Sequence, residues 1–378
     1  MLPLLDRLRA AKLGDMTSAS LLTPSASIEA TAAEFGDASG YLAVASIGLP
    51  PRAAVEALRA DLDAWFRADR DPQGYDAIVA NTRDAYARLV GIGVDRVAAG
   101  SQTSVFTALV AAAVPAGAEV LCVEGDFSSI VFPFLQRPDI RVRSVPLAAL
   151  AESITDDTWL VSFSLVQSAT GAVADTAAIF AAATAHGTLT YCDVTQAAGV
   201  LPVDATMWDA TVCHTYKWLC APRGVAFLTV TRELQAKLKP MQAGWYAGDD
   251  VWQSCYGPAM TLATDARQFD VSPAWQAWVG AEQSISLFAS LDIPSVWSHA
   301  AGLGDRLCDA LGIPQQHQAI VTWADPDRSE LDKLISAGIR ASGRAGRLRA
   351  SFHLWNTEAD VAAVVAALRG ETTATLDG

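Results

Sequence analysis

The stretch Asp209-Ala-Thr-Val-Cys-His-Thr-Tyr-Lys-Trp-Leu-Cys-Ala-Pro-Arg-Gly224 decides how this chain is read. An apolar strand pattern runs into a turn closed by Pro222 and Gly224, and Lys217 sits inside that turn. Twenty-four residues earlier Asp193 closes another apolar run, Leu189-Thr-Tyr-Cys-Asp193, and opens Asp193-Val-Thr-Gln-Ala-Ala-Gly199. Taken singly, the lysine is an interrupted strand end and the aspartate a cap or turn residue. Taken together they lie beyond the ends of two strands, where open α/β sheets bind their ligands.

The surroundings support a large folded enzyme rather than a binding tail. The chain has 378 residues, 51% of them hydrophobic and 18% charged, which suits two domains of unequal size with a substantial core. Its net charge of −14, with no basic run, makes nucleic acid and anionic membranes poor partners. No apolar run reaches the length of a membrane span. Met1 to Arg9 reads as a short amphipathic helix without the basic region or cleavage site of a signal peptide, and Met16 is an alternative start. The six cysteines form no C-x-x-C pair and do not cluster with the five histidines. Reduced thiols in a cytoplasmic protein, and no metal site, are the expectation.

Helix and strand patterns alternate through the middle of the chain. Helices are expected over 52–67, 81–90, 103–114 and 176–185, and strands over 96–100, 119–123, 141–145, 159–163, 189–193, 211–213 and 225–230. Helices between short apolar runs imply an α/β fold with a mostly parallel sheet covered on both faces. Residues 237–270, rich in Gly, Trp, Tyr and Asp, read as an irregular and functional segment. A helix over 273–291, a strand over 319–323, a helix over 329–337, a strand over 347–353 and a last helix over 358–368, capped by Asn356 or Thr357, form a smaller α+β unit. The expected division is an N-terminal segment 1–45 packing on the small domain, a large domain 46–275 and a small C-terminal domain 276–378.

Four further features surround the lysine and the acid. Gly100-Ser-Gln-Thr-Ser104 joins a strand to a helix, where free N–H groups and hydroxyls bind phosphate. Glu124-Gly-Asp-Phe-Ser-Ser129 offers Phe127 as a ring that can stack on a flat ligand. Gln196 lies three residues beyond Asp193. Arg349, on a strand, has the fork that holds a carboxylate, although a salt bridge to one of the many acids is an equal reading. A phosphate-bearing aromatic aldehyde, pyridoxal 5′-phosphate (PLP), needs this set: a lysine to form a Schiff base and an acid to keep the pyridine nitrogen protonated.

The block Asp193…Gln196…Lys217…Gly224, with Arg349-Ala-Ser…Trp355-Asn-Thr-Glu358, resembles the class V aminotransferase family of PLP fold type I enzymes. That family includes cysteine desulfurases, kynureninases and C–S lyases, and the likeness runs from about Gly48 to the final helix. It implies a seven-stranded, mostly parallel sheet, a homodimer with shared sites, and a small amino-acid substrate. Lys217 is then the Schiff-base lysine and the acid/base at Cα, Asp193 the partner of the pyridine nitrogen, and Gln196 a contact of the ring oxygen. Phe127 stacks on the ring, as the aromatic of a kynureninase does. Gln102, Thr103, His214 and Tyr216 contact the phosphate. Arg349 takes the substrate carboxylate, with Gln167 or Ser168 replacing the family's asparagine in that turn. Ser272 reaches the phosphate of the neighbouring subunit, with Val271 in place of the usual glycine.

Desulfurases of the family carry a loop cysteine before the substrate arginine. Residues 338–349 here contain none, and instead hold Arg340, Arg344 and Arg347, which face either an anionic substrate group or solvent. The best reading of the reaction is C–S β-elimination from a cysteine conjugate or its S-oxide, releasing pyruvate and ammonia. The alternatives are an aminotransferase or another Cα enzyme, such as an epimerase or a kynureninase-like enzyme; a desulfurase or a non-enzymatic PLP-binding scaffold is disfavoured. The aromatics Trp245, Tyr246, Trp252 and Tyr256 either cover a bulky substituent or pack a dimer interface.

Overall fold

The computed structural model describes residues 27–371, so the readings made for Met1 to Arg9 and for Met16 lie outside the described residues. Seven strands form the central sheet: β1 Val97–Gly100, β2 Glu119–Val123, β3 Arg141–Val145, β4 Thr158–Ser164, β5 Leu189–Asp193, β6 Ala210–His214 and β7 Ala226–Val230. Their spatial order is β1-β7-β6-β5-β4-β2-β3. Pairs β2/β3, β2/β4, β4/β5 and β5/β6 are parallel, whereas β7 runs antiparallel to both neighbours. One reversed strand makes the sheet mixed. The reversal arises because only the Lys217 turn separates β6 from β7, too short a connection for a crossover helix.

Helices α2 Gly74–Leu89, α3 Thr103–Ala113, α4 Ser128–Leu135, α5 Thr176–His186 and α6 Trp275–Ala289 cover the sheet, and α1 Arg52–Phe66 packs on α6 from outside. Both sheet faces are buried, which explains why β4 and β6 read as continuous apolar runs rather than alternating ones. On one face Phe106, Val110, Phe134 and Leu228 form a separate cluster; on the other the core continues into the C-terminal unit. There Phe227 of β7 lies between Tyr86, stacked at 4.3 Å, and Trp278, edge-on at 5.5 Å. Such pairs each add about 1 kcal/mol beyond their burial.

The C-terminal unit holds α7 Ile293–Leu311, β8 Ile320–Ala324, α8 Ser329–Ser336, β9 Ser342–Arg344, β10 Arg347–Ser351 and α9 Glu358–Arg369. Its antiparallel sheet has the order β8-β10-β9. Thr357 caps α9 in a reciprocal capping box with Asp360, which decides between the two cap residues the sequence offered. The chain before α1 runs alongside this unit: Leu42 N–H donates to Arg340 O at 2.7 Å, and Ser351 N–H to Leu42 O at 2.9 Å. Among the described residues no helix is long and apolar enough to cross a membrane.

Elements α2, α4, α7 and β9 differ from the sequence expectation, α4 and β9 falling where no element is expected. Helix α2 starts at Gly74, not near Asn81, because Tyr75 and Val79 extend its buried stripe beyond a glycine that masks the start. Helix α7 was not anticipated, since Gly302, Gly304 and Pro294 break its pattern; Asp292 caps it and Pro294 lies in its first turn, where no N–H is needed. Helix α6 packs against α1 and α2, while its last turn brings Phe288 onto His353 of the C-terminal unit, stacked at 5.3 Å. A boundary at 275/276 therefore separates α6 from the helices it packs on.

Candidate active site

A pocket opens beyond the carboxyl ends of β4, β5 and β6, with Ser164, Asp193 and His214 at those three strand ends. Lys217 projects into it from the turn after β6. That turn is held by Cys220 N–H to Lys217 O at 3.0 Å, Ala221 N–H to Thr215 O at 3.2 Å, and Gly48 N–H to Tyr216 O at 2.8 Å. Two glycines permit the close packing: a Cβ on Gly199, whose φ is +98°, would sit 2.8 Å from Trp218 O, and one on Gly48 would sit 2.1 Å from Lys217 O.

Lys217 is 5% exposed and has no acid within salt-bridge reach among the described residues. Burial pushes its pKa down to about 8, and the charges of Arg349 and Arg344 act in the same direction, against the pull of Asp193. Its Nζ lies 5.1 Å from the ring centre of Phe127 and 5.7 Å from that of Tyr216. The amine thus lies near two aromatic rings with its pKa lowered by burial, which favours the neutral, nucleophilic form.

Asp193 is 4% exposed, and burial raises its pKa to about 6 despite Thr195 N–H donating to it at 2.7 Å. A carboxylate under that strain gains from a cation placed against it. Gln196 has its amide fully engaged: Nε2 donates to Ala45 O at 3.0 Å and Ser168 Oγ at 2.9 Å, and Oε1 accepts from Trp218 Nε1 at 2.7 Å. To donate to a ring oxygen it must release Ser168.

Three observations mark an anion-binding end. Gln102 occupies the N-cap position of α3 without a side-chain cap, leaving N–H groups of the first turn free for a ligand, and Thr103 lines the pocket beside it. His214 Nε2 is buried without a hydrogen-bond partner, and burial holds its pKa down to about 3. Arg223, which pairs with no acid among the described residues, lies with Cζ 4.7 Å from the ring centre of Tyr216. An unpartnered ring nitrogen, a helix N-terminus and a free guanidinium fit a phosphate; Phe127, Asp193 and Lys217 fit the ring it is attached to.

Arg349 is not itself in the pocket lining; it lies behind Ser168, which is. It is 1% exposed, yet its partners are neutral: Ser342 Oγ at 3.1 Å, Ser46 Oγ at 2.7 Å, and the backbone and hydroxyl oxygens of Ser168. No acid pairs with it among the described residues, so the salt-bridge alternative falls. Burial, with the neighbouring Arg344, pushes its pKa down to about 10. A buried, uncompensated guanidinium is costly unless an anionic ligand completes it.

The remaining sequence candidates separate. Ser168 lines the pocket, but Gln167 does not: its amide bridges Glu124 O and Thr170, bracing the loop. Ser272 is exposed and outside this pocket. The aromatic segment is also elsewhere, for Tyr246 Oη and Trp252 Nε1 both donate to Asp76 of α2, at 3.1 and 2.6 Å. Within one chain those rings clamp a helix start and do not cover the pocket. Sequence reading missed Asp126, which accepts from Phe127 N–H, Ser164 N–H and Ser164 Oγ at 2.9, 2.8 and 2.6 Å and so fixes the loop that carries Phe127. It also missed Ser46 and Arg223, which no local motif marks.

The fold and this site define a PLP enzyme of fold type I. The sequence profile of the class-V aminotransferase family matches residues 78–332, and the chain belongs to that family, whose members use PLP. It is 27% identical over 303 residues to an uncharacterized aminotransferase, YcbU, of Bacillus subtilis, covering 74% of this chain and 80% of that one. It is 28% identical over 281 residues to the kynureninase of Deinococcus radiodurans, covering 70% and 68%. Its fold matches that of the cystine C–S lyase C-DES, solved with cysteine persulfide, with a TM-score of 0.80 at 19% identity over 88% of this chain and 97% of that one.

Proposed function

We propose that this PLP-dependent enzyme is a C–S β-lyase acting on a cysteine conjugate or its S-oxide. One observation carries the reading: Lys217 in the pocket and Arg349 behind its Ser168 wall are buried cations without acid partners among the described residues, and the pocket lining contains no cysteine. Five of the six cysteines, Cys122, Cys192, Cys213, Cys220 and Cys308, are buried, and burial raises the pKa of each, so none of these offers a thiolate to accept sulfur; the sixth, Cys255, is half-buried and outside the pocket lining.

Bound PLP supplies an electron sink for negative charge developing at Cα. Arg349 holds the substrate carboxylate in its fork and so turns the Cα–H toward Lys217. Lys217 Nζ, whose pKa burial lowers, takes that proton and returns it to the departing sulfur. Asp193 pairs with the protonated pyridine nitrogen, and Phe127 fixes the ring plane. Overall a cysteine conjugate and water give a thiol (a sulfenic acid from an S-oxide), pyruvate and ammonia. We also infer a homodimer, in which Ser272 of one subunit serves the phosphate end of the other.

The test is to supply cysteine S-conjugates and assay pyruvate and ammonia in equal amounts. Keto-acid-dependent amine transfer without pyruvate supports the second reading, an aminotransferase, which the likeness to YcbU favours.

A further inference from the structure

The hairpin of β9 and β10 puts Ser342, Arg344, Arg347 and Arg349 on one face, since Arg344 pairs with Arg347 and Ser342 with Arg349 in register. Arg347 is committed to Thr322, donating to its backbone oxygen and hydroxyl at 3.0 Å. Arg349 is committed to Ser342, Ser168 and Ser46. Arg344 points the same way: its Nη2 lies 3.3 Å from Ser46 Oγ, the hydroxyl that Arg349 holds at 2.7 Å. Two guanidinium groups therefore converge on one neutral oxygen. Neither has an acid partner among the described residues, in a chain carrying 41 acids against 27 Lys and Arg. The charge of Arg344 reaches the pocket, where it disfavours protonated Lys217 and Arg349. An α-carboxylate neutralises one of these two cations and leaves the other.

We propose that the substrate carries a second anionic group on its side chain, and that Arg344 reads it. This rests on the amino-acid reading above and adds the substrate class: an amino acid whose distal end is an acid. Ser46 sets the spacing, because it separates the guanidinium that takes the α-carboxylate from the one that takes the distal group. Arg344 is exposed at the hairpin tip, so a group it holds lies toward solvent, where its desolvation costs little.

The test uses S-carboxymethyl-, S-carboxyethyl- and S-carboxypropyl-L-cysteine, each against its carboxamide, titrated into the holoenzyme and followed by the visible absorbance of the cofactor. At least one acid is expected to bind about 10-fold or more tighter than its amide, the range for a charge-assisted contact. Arg344→Gln is expected to bring that ratio to about one through loss of the acid's affinity. Equal binding of acid and amide by the wild type overturns the proposal. So does an Arg344→Gln variant that weakens both alike, which places Arg344 on the α-carboxylate, or one that changes neither. Selective binding without pyruvate from any conjugate sinks the lyase reading and leaves Arg344 as the reader of the distal group.

Discussion

Gly48 donates its backbone N–H to Tyr216 O at 2.8 Å, so the chain before α1 lies directly against the turn that presents Lys217. The same segment supplies Ala45 O to Gln196 and Ser46 Oγ to Arg349. Three parts of the site, far apart in sequence, are thus tied by one strap, which turns at residues 44–46.

A side chain at position 48 breaks that contact. Its Cβ would meet Lys217 O at 2.1 Å and Cys220 Cα at 2.9 Å, both on the turn, so the backbone must shift. Gly48→Ala is expected to cost about 1–3 kcal/mol of stability and to weaken PLP retention about 10-fold. Thermal melts of apo- and holoenzyme, with equilibrium dialysis of PLP, check both; unchanged retention would falsify the strap's role.

Lys217 makes the second prediction. Borohydride reduction of the holoenzyme should add the cofactor's mass to the peptide containing Lys217, and Lys217→Ala should lose that adduct and at least about 10³-fold of activity. Cofactor capture by the apoenzyme should accelerate as pH rises through about 8, since the neutral amine is the reactive form. The folded pKa lies below the unfolded value, so fold stability contributed by this group rises with pH between about 8 and 10.5. Lys217→Ala should accordingly melt no lower than wild type at pH 7.

Arg349→Lys tests the carboxylate fork. Lysine keeps the charge but cannot span Ser342, Ser168 and Ser46 together. A loss of about 10²-fold or more in kcat/KM, with PLP retention intact, is expected; a variant within about 2-fold of wild type would remove Arg349 from the substrate site.

His353 gives the fold an acid limit. Its ring is fully buried against Trp218 and Phe288, Nε2–H donates to Trp218 O at 2.9 Å, and Nδ1 has no partner. Burial holds its pKa down to about 4. The unfolded chain therefore takes up the proton first: stability is full above about pH 6.5 and falls as pH drops toward 4, by on the order of 3 kcal/mol. Denaturant midpoints measured across that window should fall less steeply for His353→Gln than for wild type, the remaining slope coming from His214 and His299, which burial also holds down, and from Asp193, whose raised pKa acts in the opposite sense.

The cofactor end of the site was legible in the sequence because its parts are local. Asp193, His214 and Lys217 sit at or just past strand ends, and a strand's apolar pattern announces where it stops. Gln102 and Thr103 could be read from a strand-to-helix junction for the same reason. Helix α7 and the true start of α2 were missed where glycine and proline interrupt a 3.6-residue period that packing nevertheless enforces.

The substrate end was legible only as a resemblance, because nothing local separates a ligand-binding arginine from a salt-bridged one. Sequence alone determined the strand pattern, the α/β class and the placement of an amine and an acid beyond two strand ends, since all of these follow from hydrophobic periodicity and chain order. Tertiary structure decided which cations lack acids. It put Arg349 and Arg344 against Ser46, some 300 residues earlier in the chain, and turned Gln167 and the aromatic segment away from the pocket. Long-range packing sets those distances, and burial then sets the charge states that make Lys217 reactive.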